Sequence, residues 1–226
     1  MGIEVNVVRV FTDENGKHGN PLGIVDASLV PESERQALAA ELDYSETIFV
    51  DLPAVGDARA RVRIFTPTRE LPFAGHPTVG VGWWLNRQGV PVTSLDAPAG
   101  VVAVRRSGEL TWVRAQADWA PEFAIYPLDS TEDVLAAHSS DYPDGGNYLW
   151  AWQDELESSI RTRMFGPGLG ITEDEATGAA AIRITDHLRQ SLLITQGRGS
   201  VLRTTYSTDG WLEVGGLVEF DRSRTV

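Results

Sequence analysis

Three side chains in this 226-residue sequence have the types and settings for acid/base work: His76, Asp174 and Glu46. His76 lies in Glu70-Leu71-Pro72-Phe73-Ala74-Gly75-His76-Pro77-Thr78-Val79-Gly80, where Gly75 permits a positive φ and Pro77 suits the first turn of a helix. That places the imidazole at a helix mouth, where unpaired backbone N–H groups and the helix dipole favour an anion such as a carboxylate. Taken alone, the stretch reads equally well as an ordinary turn with a satisfied histidine. A second, similar stretch, Thr172-Glu173-Asp174-Glu175-Ala176-Thr177-Gly178-Ala179-Ala180-Ala181-Ile182, again runs from a glycine into small and apolar residues. Asp174 would face the same cleft as His76, although Thr172-x-x-Glu175 also fits a capping box and gives the acidic cluster a purely structural account. Glu46 joins a helix to an apolar strand; partial burial there would raise its pKa and suit it to proton transfer, but spacing alone favours a solvated loop residue.

The elements that must position these groups repeat. Arg61-Val62-Arg63-Ile64-Phe65-Thr66-Pro67 and Arg161-Thr162-Arg163-Met164-Phe165-Gly166-Pro167 match at arginine, arginine, phenylalanine and proline, one hundred residues apart, each upstream of a glycine loop. This argues for two structurally equivalent halves. The segment Thr78 to Leu85 is apolar nearly all round, which predicts a buried central helix wrapped by other elements, with Gly80 and Gly82 admitting close sheet backbone. Strands are predicted over 3–11, 22–26, 47–52, 58–65, 100–106, 110–116, 148–153, 160–165, 191–196, 200–206 and 211–220, and helices over 31–43, 131–138 and from the second loop to about Arg189. Asp118-Trp119-Ala120-Pro121-Glu122-Phe123 is the best linker, so the halves are read as 1–116 and 117–226.

Composition removes whole classes of function. A net charge of −13 argues against nucleic acid, whose affinity depends on lysine and arginine contacts to phosphate. No window reaches the length of a membrane span, and the N-terminus runs straight into an alternating strand, so a cytoplasmic location is the default. With zero cysteines there are no disulfides, thiolate metal sites or thiol nucleophiles. The four histidines, at 18, 76, 138 and 187, make no metal-ligand spacing, and no phosphate loop, GxSxG elbow or HExxH helix is present. Neither a metal nor a cofactor is called for.

Phe11-Thr12-Asp13 with Gly19-Asn20-Pro21-Leu22, Ser45-Glu46-Thr47, Phe73-Ala74-Gly75-His76-Pro77-Thr78 and Glu173-Asp174-x-Ala176-Thr177-Gly178 together resemble the signature blocks of the phenazine-biosynthesis PhzF-like family, in order and over most of the chain. The resemblance implies an α+β fold of the diaminopimelate epimerase type, two pseudo-symmetric domains, each a mixed β-sheet wrapped around a central α-helix, with the site in the cleft between them. It implies that Glu46 is the general acid/base, that His76 and Asp174 hold the substrate and assist proton movement, and that Asn20, Ser45, Gly75, Gly178 and Ala179 line the ligand. It also implies a homodimer. Two departures stand out: the chain is shorter than most members, with the loss expected between 120 and 160, and Ala179 stands where many members carry serine.

The epimerase cousins use two cysteines, one on each face of the substrate carbon; this chain has none. A two-thiol racemase is excluded, and the chemistry expected is an isomerisation in which one carboxylate moves a proton within a small carboxylate-bearing metabolite. The alternatives are a non-catalytic binding protein that keeps the cleft, and a cysteine-independent epimerase in which Asp174 is the second base.

Overall fold

In the computed structural model, residues 2–54 and 56–226 are described. The first half contains β1 (Glu4–Thr12), β2 (Asn20–Asp26), α1 (Arg35–Leu42), β3 (Glu46–Asp51), β4 (Arg59–Phe65), β5 (Glu70–Leu71), α2 (Gly75–Arg87), β6 (Ser94–Ala97), β7 (Gly100–Ser107) and β8 (Leu110–Gln116). There follow β9 (Ala124–Pro127), α3 (Thr131–Ala136), β10 (Asn147–Asp154), β11 (Ser159–Gly166), β12 (Ile171–Asp174), α4 (Gly178–Leu188), β13 (Leu193–Gln196), β14 (Ser200–Tyr206) and β15 (Trp211–Thr225). The longer elements follow the apolar patterning. The two-to-four-residue strands β5, β6, β9 and β12 carry no periodicity of their own and exist because a neighbour pairs them.

The sheet runs in the order β1-β2-β3-β4-β6-β7-β8-β15-β14-β13-β11-β10-β9, and the two wings are the same path. β2 is parallel to β3 as β9 is to β10, β4 is antiparallel to β3 and parallel to β6 as β11 is to β10 and β13, and β5 pairs β4 as β12 pairs β11. The registers agree residue by residue: Ile48 faces Ile64 and Tyr148 faces Met164, while Ile64 faces Leu71 and Met164 faces Asp174. The segment 120–160 still carries counterparts of β2, α1 and β3, namely β9, α3 and β10, with α3 the shorter helix. β15 pairs β14 and β8 at its start and β1 along the rest, joining the two wings.

Helix α2 is buried because its sequence is apolar on nearly every side, whereas α4 turns its apolar residues inward and leaves Asp186 and His187 exposed. Val79, Val81, Trp84 and Leu85 of α2 pack with Val8, Val10, Leu22, Ile24, Ile48 and Ile64, and Ile182 and Ile184 of α4 lie in the same continuous core with Tyr148, Ile160, Ile194, Leu202 and Val214. Because successive side chains of a strand point to opposite faces, β1 buries Val8 and Val10 toward α2 and Val5 and Val7 in a second cluster with Leu38 and Leu42 of α1.

Four local expectations are corrected. Neither Gly75 nor Gly178 has a left-handed backbone; each is the first residue of its helix. Their smallness matters instead, since a Cβ on Gly75 would lie 2.9 Å from the Gly178 Cα, and one on Gly178 2.9 Å from the His76 backbone nitrogen. Gly80 admits side chains rather than sheet backbone, its missing Cβ being replaced by Leu22 and Val10. The capping box is absent: Thr172 lies in β12, and the N-cap of α4 is Thr177, without a side-chain cap bond. The helix expected from Pro31 begins as a 3₁₀ turn over Glu32–Glu34 before α1.

The abutting glycines make opposing demands on a substitution. Alanine is the better helix former by about 1 kcal/mol, whereas forcing a methyl into rigid backbone costs roughly 1–3 kcal/mol. Gly178→Ala is therefore expected to lower the urea midpoint, and a midpoint at or above that of the wild type would show that the two helix ends do not press together.

Candidate active site

The sequence repeat sets the two glycine loops. Arg63 pairs through Nε and Nη2 with both carboxylate oxygens of Glu70 and reaches Glu32 through Nη1, and Arg163 pairs in the same way with Glu173 at 2.8 and 2.7 Å. Each guanidinium also stands over the phenylalanine two residues on, Arg63 over Phe65 at 6.0 Å and Arg163 over Phe165 at 4.6 Å. These braces hold β5 and β12 in place, and each strand then feeds a helix start. Neither Ala74 nor Thr177 caps its helix with a side chain, so the first-turn N–H groups of α2 and α4 open side by side.

Around those two ends the structure gathers the predicted residues. Glu46 opens β3, paired with Leu22 of β2, and its carboxylate is 16% exposed, so the solvated-loop reading is wrong. The parallel β2–β3 pairing draws it inside. Its Oε2 lies 3.4 Å from Nδ1 of His76, which is 3% exposed. Asn20, buried at the start of β2, donates from Nδ2 to Asp174 Oδ1 at 2.7 Å and to the Ala176 carbonyl at 3.1 Å, and accepts from Ser45 Oγ at 3.1 Å. It ties the Glu46 side of the site to the Asp174 side. Thr177 Oγ1 donates to the other Asp174 oxygen at 2.5 Å. Gly75, Gly178 and Ala179 are all buried at the helix mouths. With Gly75 and Gly178 in contact, an anion can be received only in front of both helix ends, not between them.

The neighbouring Glu175 turns away from this group. It accepts from the backbone and Nε of Arg198 and from Ser200 Oγ, which in turn accepts from the Gly19 N–H. His138 and His187 are exposed, and His18 stands 4.0 Å from Asp13. Two surface concavities, of about 570 and 400 Å³, are lined by Arg61, Arg63, Glu70 and Asp96 and by Leu128, Asp133 and Tyr142; neither touches Glu46, His76 or Asp174. No cluster of His, Asp and Glu among the described residues is arranged to hold a metal ion, and no helix is long and apolar enough to cross a membrane.

Burial dominates the electrostatics. It raises Glu46 to about 7 against the lowering hydrogen bond of Ser45, and it depresses His76 to about 4 despite the raising influence of the Asp174 charge and the Pro21 carbonyl. Asp174 is likewise raised, first by burial and next by the Glu46 charge, while His76, Thr177 and Asn20 pull it down. At neutral pH the Glu46–His76 contact is therefore an approach to a neutral ring, not an ion pair. Glu46 Oε2 and His76 Nε2 are both buried without a hydrogen-bond partner, an arrangement that costs stability and is found where chemistry needs the group free.

Residue-level reading of the sequence did not single out Thr177, Gln196 or Tyr148. The hundred-residue repeat held the signal, because Tyr148 and Thr162 stand opposite Ile48 and Val62 in it.

Residues 8–138, more than half of the chain, match the family described as phenazine biosynthesis-like protein. The chain belongs to that family. It is 31% identical over 210 residues to the trans-2,3-dihydro-3-hydroxyanthranilate isomerase of Pseudomonas fluorescens, covering 75% of this chain and 74% of that one. As a phenazine biosynthesis-like protein whose relatives at this level are isomerases, it is an enzyme of the isomerase class. Its fold is similar to that of a PhzF-family protein from Enterococcus faecalis, with a TM-score of 0.81 at 21% identity over 100% of this chain and 99% of that one. A probable proline racemase from Agrobacterium radiobacter shares the architecture at a TM-score of 0.65 and 11% identity, over 99% and 92% of the two chains. The fold is thus that of the diaminopimelate epimerase-like proteins.

A raised carboxylate pKa has a thermodynamic consequence. The fold disfavours ionised Glu46, so nothing is lost below the unfolded value near 4.5, and stability falls as pH rises through about 7. Glutamine is neutral throughout. Glu46→Gln should match the wild type in thermal stability at pH 4 and exceed it at pH 8 by on the order of 3 kcal/mol, at 1.36 kcal/mol per pKa unit. Equal melting curves at pH 8 would mean that Glu46 is not desolvated.

Proposed function

We propose that this enzyme moves a proton from one carbon to another within a small carboxylate-bearing metabolite, with Glu46 as the single acid/base. The observation that carries this reading is the asymmetry between the two buried carboxylates. Both oxygens of Asp174 are taken up as acceptors, by Asn20 and Thr177, whereas Glu46 Oε2 has no donor and faces His76 at 3.4 Å. A base needs a free lone pair and a pKa near the working pH, and Glu46 has both.

In this reading the substrate carboxylate lies at the paired N-termini of α2 and α4, where backbone N–H groups and two helix dipoles stabilise it and the charge that develops beside it on deprotonation. Glu46 takes a proton from one carbon, the double bond shifts, and the same carboxyl returns a proton to a second carbon. Neutral His76 stands beside the carboxyl without neutralising it. Asp174, anchored through Asn20 to Ser45, fixes polar groups of the substrate. Ala179 leaves only its backbone N–H where a serine would add a hydroxyl. The relatives act on trans-2,3-dihydro-3-hydroxyanthranilate, an amino-carboxylic acid of this class, which makes it the first compound to assay.

The epimerase alternative needs Asp174 as a second base, and the donors already held on both its oxygens weigh against that. A non-catalytic binding role leaves the unpartnered, desolvated Glu46 without a purpose.

Turnover of that compound, or of cyclic and amino-carboxylic acids selected by thermal shift, should fall by roughly 10²–10⁴ in Glu46→Gln while ligand affinity is kept. In D₂O the product should carry deuterium at one new carbon or retain its own proton. Undiminished turnover in the variant removes Glu46 from the chemistry. Deuterium with inversion at an existing stereocentre, lost in Asp174→Asn, hands the assignment to the epimerase reading.

A further inference from the structure

Behind Asp174 lies a buried polar network with no counterpart in the other half of the molecule. Gln196, 0% exposed at the end of β13, donates from Nε2 to the Asp174 carbonyl at 3.0 Å and to Thr177 Oγ1 at 2.9 Å. Its Oε1 accepts from the Thr177 N–H and from the Tyr148 hydroxyl, each at 3.2 Å, and that hydroxyl lies 3.1 Å from Thr162 Oγ1. Arg161 pins the same turn by donating to the carbonyls of Thr195 and Gly197, on either side of Gln196.

The repeat supplies an internal control. By strand register and helix start, Asp174, Thr177, Tyr148, Thr162 and Gln196 correspond to Leu71, Ala74, Ile48, Val62 and Ala97. Every counterpart is apolar, and that half folds around the same backbone. The fold therefore does not require the network; an Asp174 side chain in one loop and not the other does.

The orientation of each member is forced. A carbonyl only accepts and a backbone N–H only donates, so the Gln196 amide cannot be flipped without setting donor against donor and acceptor against acceptor. With Nε2 donating to Thr177 Oγ1, the one hydroxyl proton of Thr177 is left to point at Asp174 Oδ2. We infer that Gln196, locked by Tyr148 and the Thr177 N–H, is a positioning residue that holds the Thr177 hydroxyl as a permanent donor to Asp174 and so keeps Asp174 the acceptor of the carboxylate pair while Glu46 carries the mobile proton. This rests on the reading of Asp174 as a site residue. The groups facing Asp174 are Glu46 of β3, His76 of α2 and Tyr148 of β10; its neighbours Glu173 and Glu175 are paired to Arg163 and Arg198.

The test needs no substrate. The protein is labelled with ¹³C at its aspartate carboxyls, Asp174 is assigned with Asp174→Asn, and its resonance is followed against pH. Removing a hydrogen bond to a carboxylate favours the acid, so Gln196→Met and Thr177→Val should each move the Asp174 midpoint upward by about half a unit or more. Thr177→Ser, which keeps the hydroxyl, should leave it in place. Because both changes cut one chain, the double variant should move the midpoint no further than the larger single shift. A Gln196→Met midpoint equal to that of the wild type, or shifts that add in the double variant, overturns the inference. If Gln196→Met does not fold, a Thr177→Val midpoint that stays with Thr177→Ser overturns it as well. Full turnover in Asp174→Asn would instead overturn the role of Asp174 and leave the titration result standing.

Discussion

Everything at this site depends on the contact between two helix N-termini. Gly75 and Gly178 stand backbone to backbone, close enough that a methyl on either would collide, so the positive ends of α2 and α4 are held side by side in the core. Two such ends repel unless something negative lies before them, and neither helix has a side-chain cap to supply it. An anion in front of both ends is the electrostatic complement. The same contact encloses Glu46, His76 and Asp174, so desolvation becomes the largest influence on all three.

Desolvation acts with opposite sign on acids and on a base. It lifts both carboxyls and depresses the imidazole, so the ring stays neutral and ionising both carboxyls together is penalised. Hydrogen bonding then breaks the symmetry of the carboxyls: Asp174 has donors on both oxygens and Glu46 keeps one oxygen free. Two like groups in one site thus acquire different hydrogen-bond environments from their neighbours alone.

The molecule also shows how a duplicated backbone is divided between tasks. Arg63–Glu70 and Arg163–Glu173 keep the same bracing job on both sides, because each loop must be delivered to the same helix start. The residues behind the loops diverge. One half carries Ile48, Val62 and Ala97 and contributes Glu46 and His76, while the other carries Tyr148, Thr162 and Gln196 and contributes Asp174. The connected network of Tyr148, Thr162, Gln196 and Thr177 stands behind the loop that carries Asp174, and each of its buried groups is hydrogen-bonded.

Much of this was legible in the sequence. The two glycine loops, the arginine-phenylalanine repeat and the lack of cysteine came from residue identity and spacing, which local conformation and chemistry obey directly. The signature blocks pointed to the fold and to Glu46, His76 and Asp174. Only the tertiary structure decided the rest. It showed that the glycines are needed for close approach and not for positive φ, that Thr172-x-x-Glu175 is strand and turn rather than a cap, and that Glu46 is buried although spacing favoured water. It brought Gln196 and Tyr148 to Thr177 from 19 and 29 positions away along the chain. Burial and hydrogen-bond direction are set by elements that meet in space, and the strand register that brings Leu22 beside Glu46, or Thr162 beside Gln196, has no local signature in the chain.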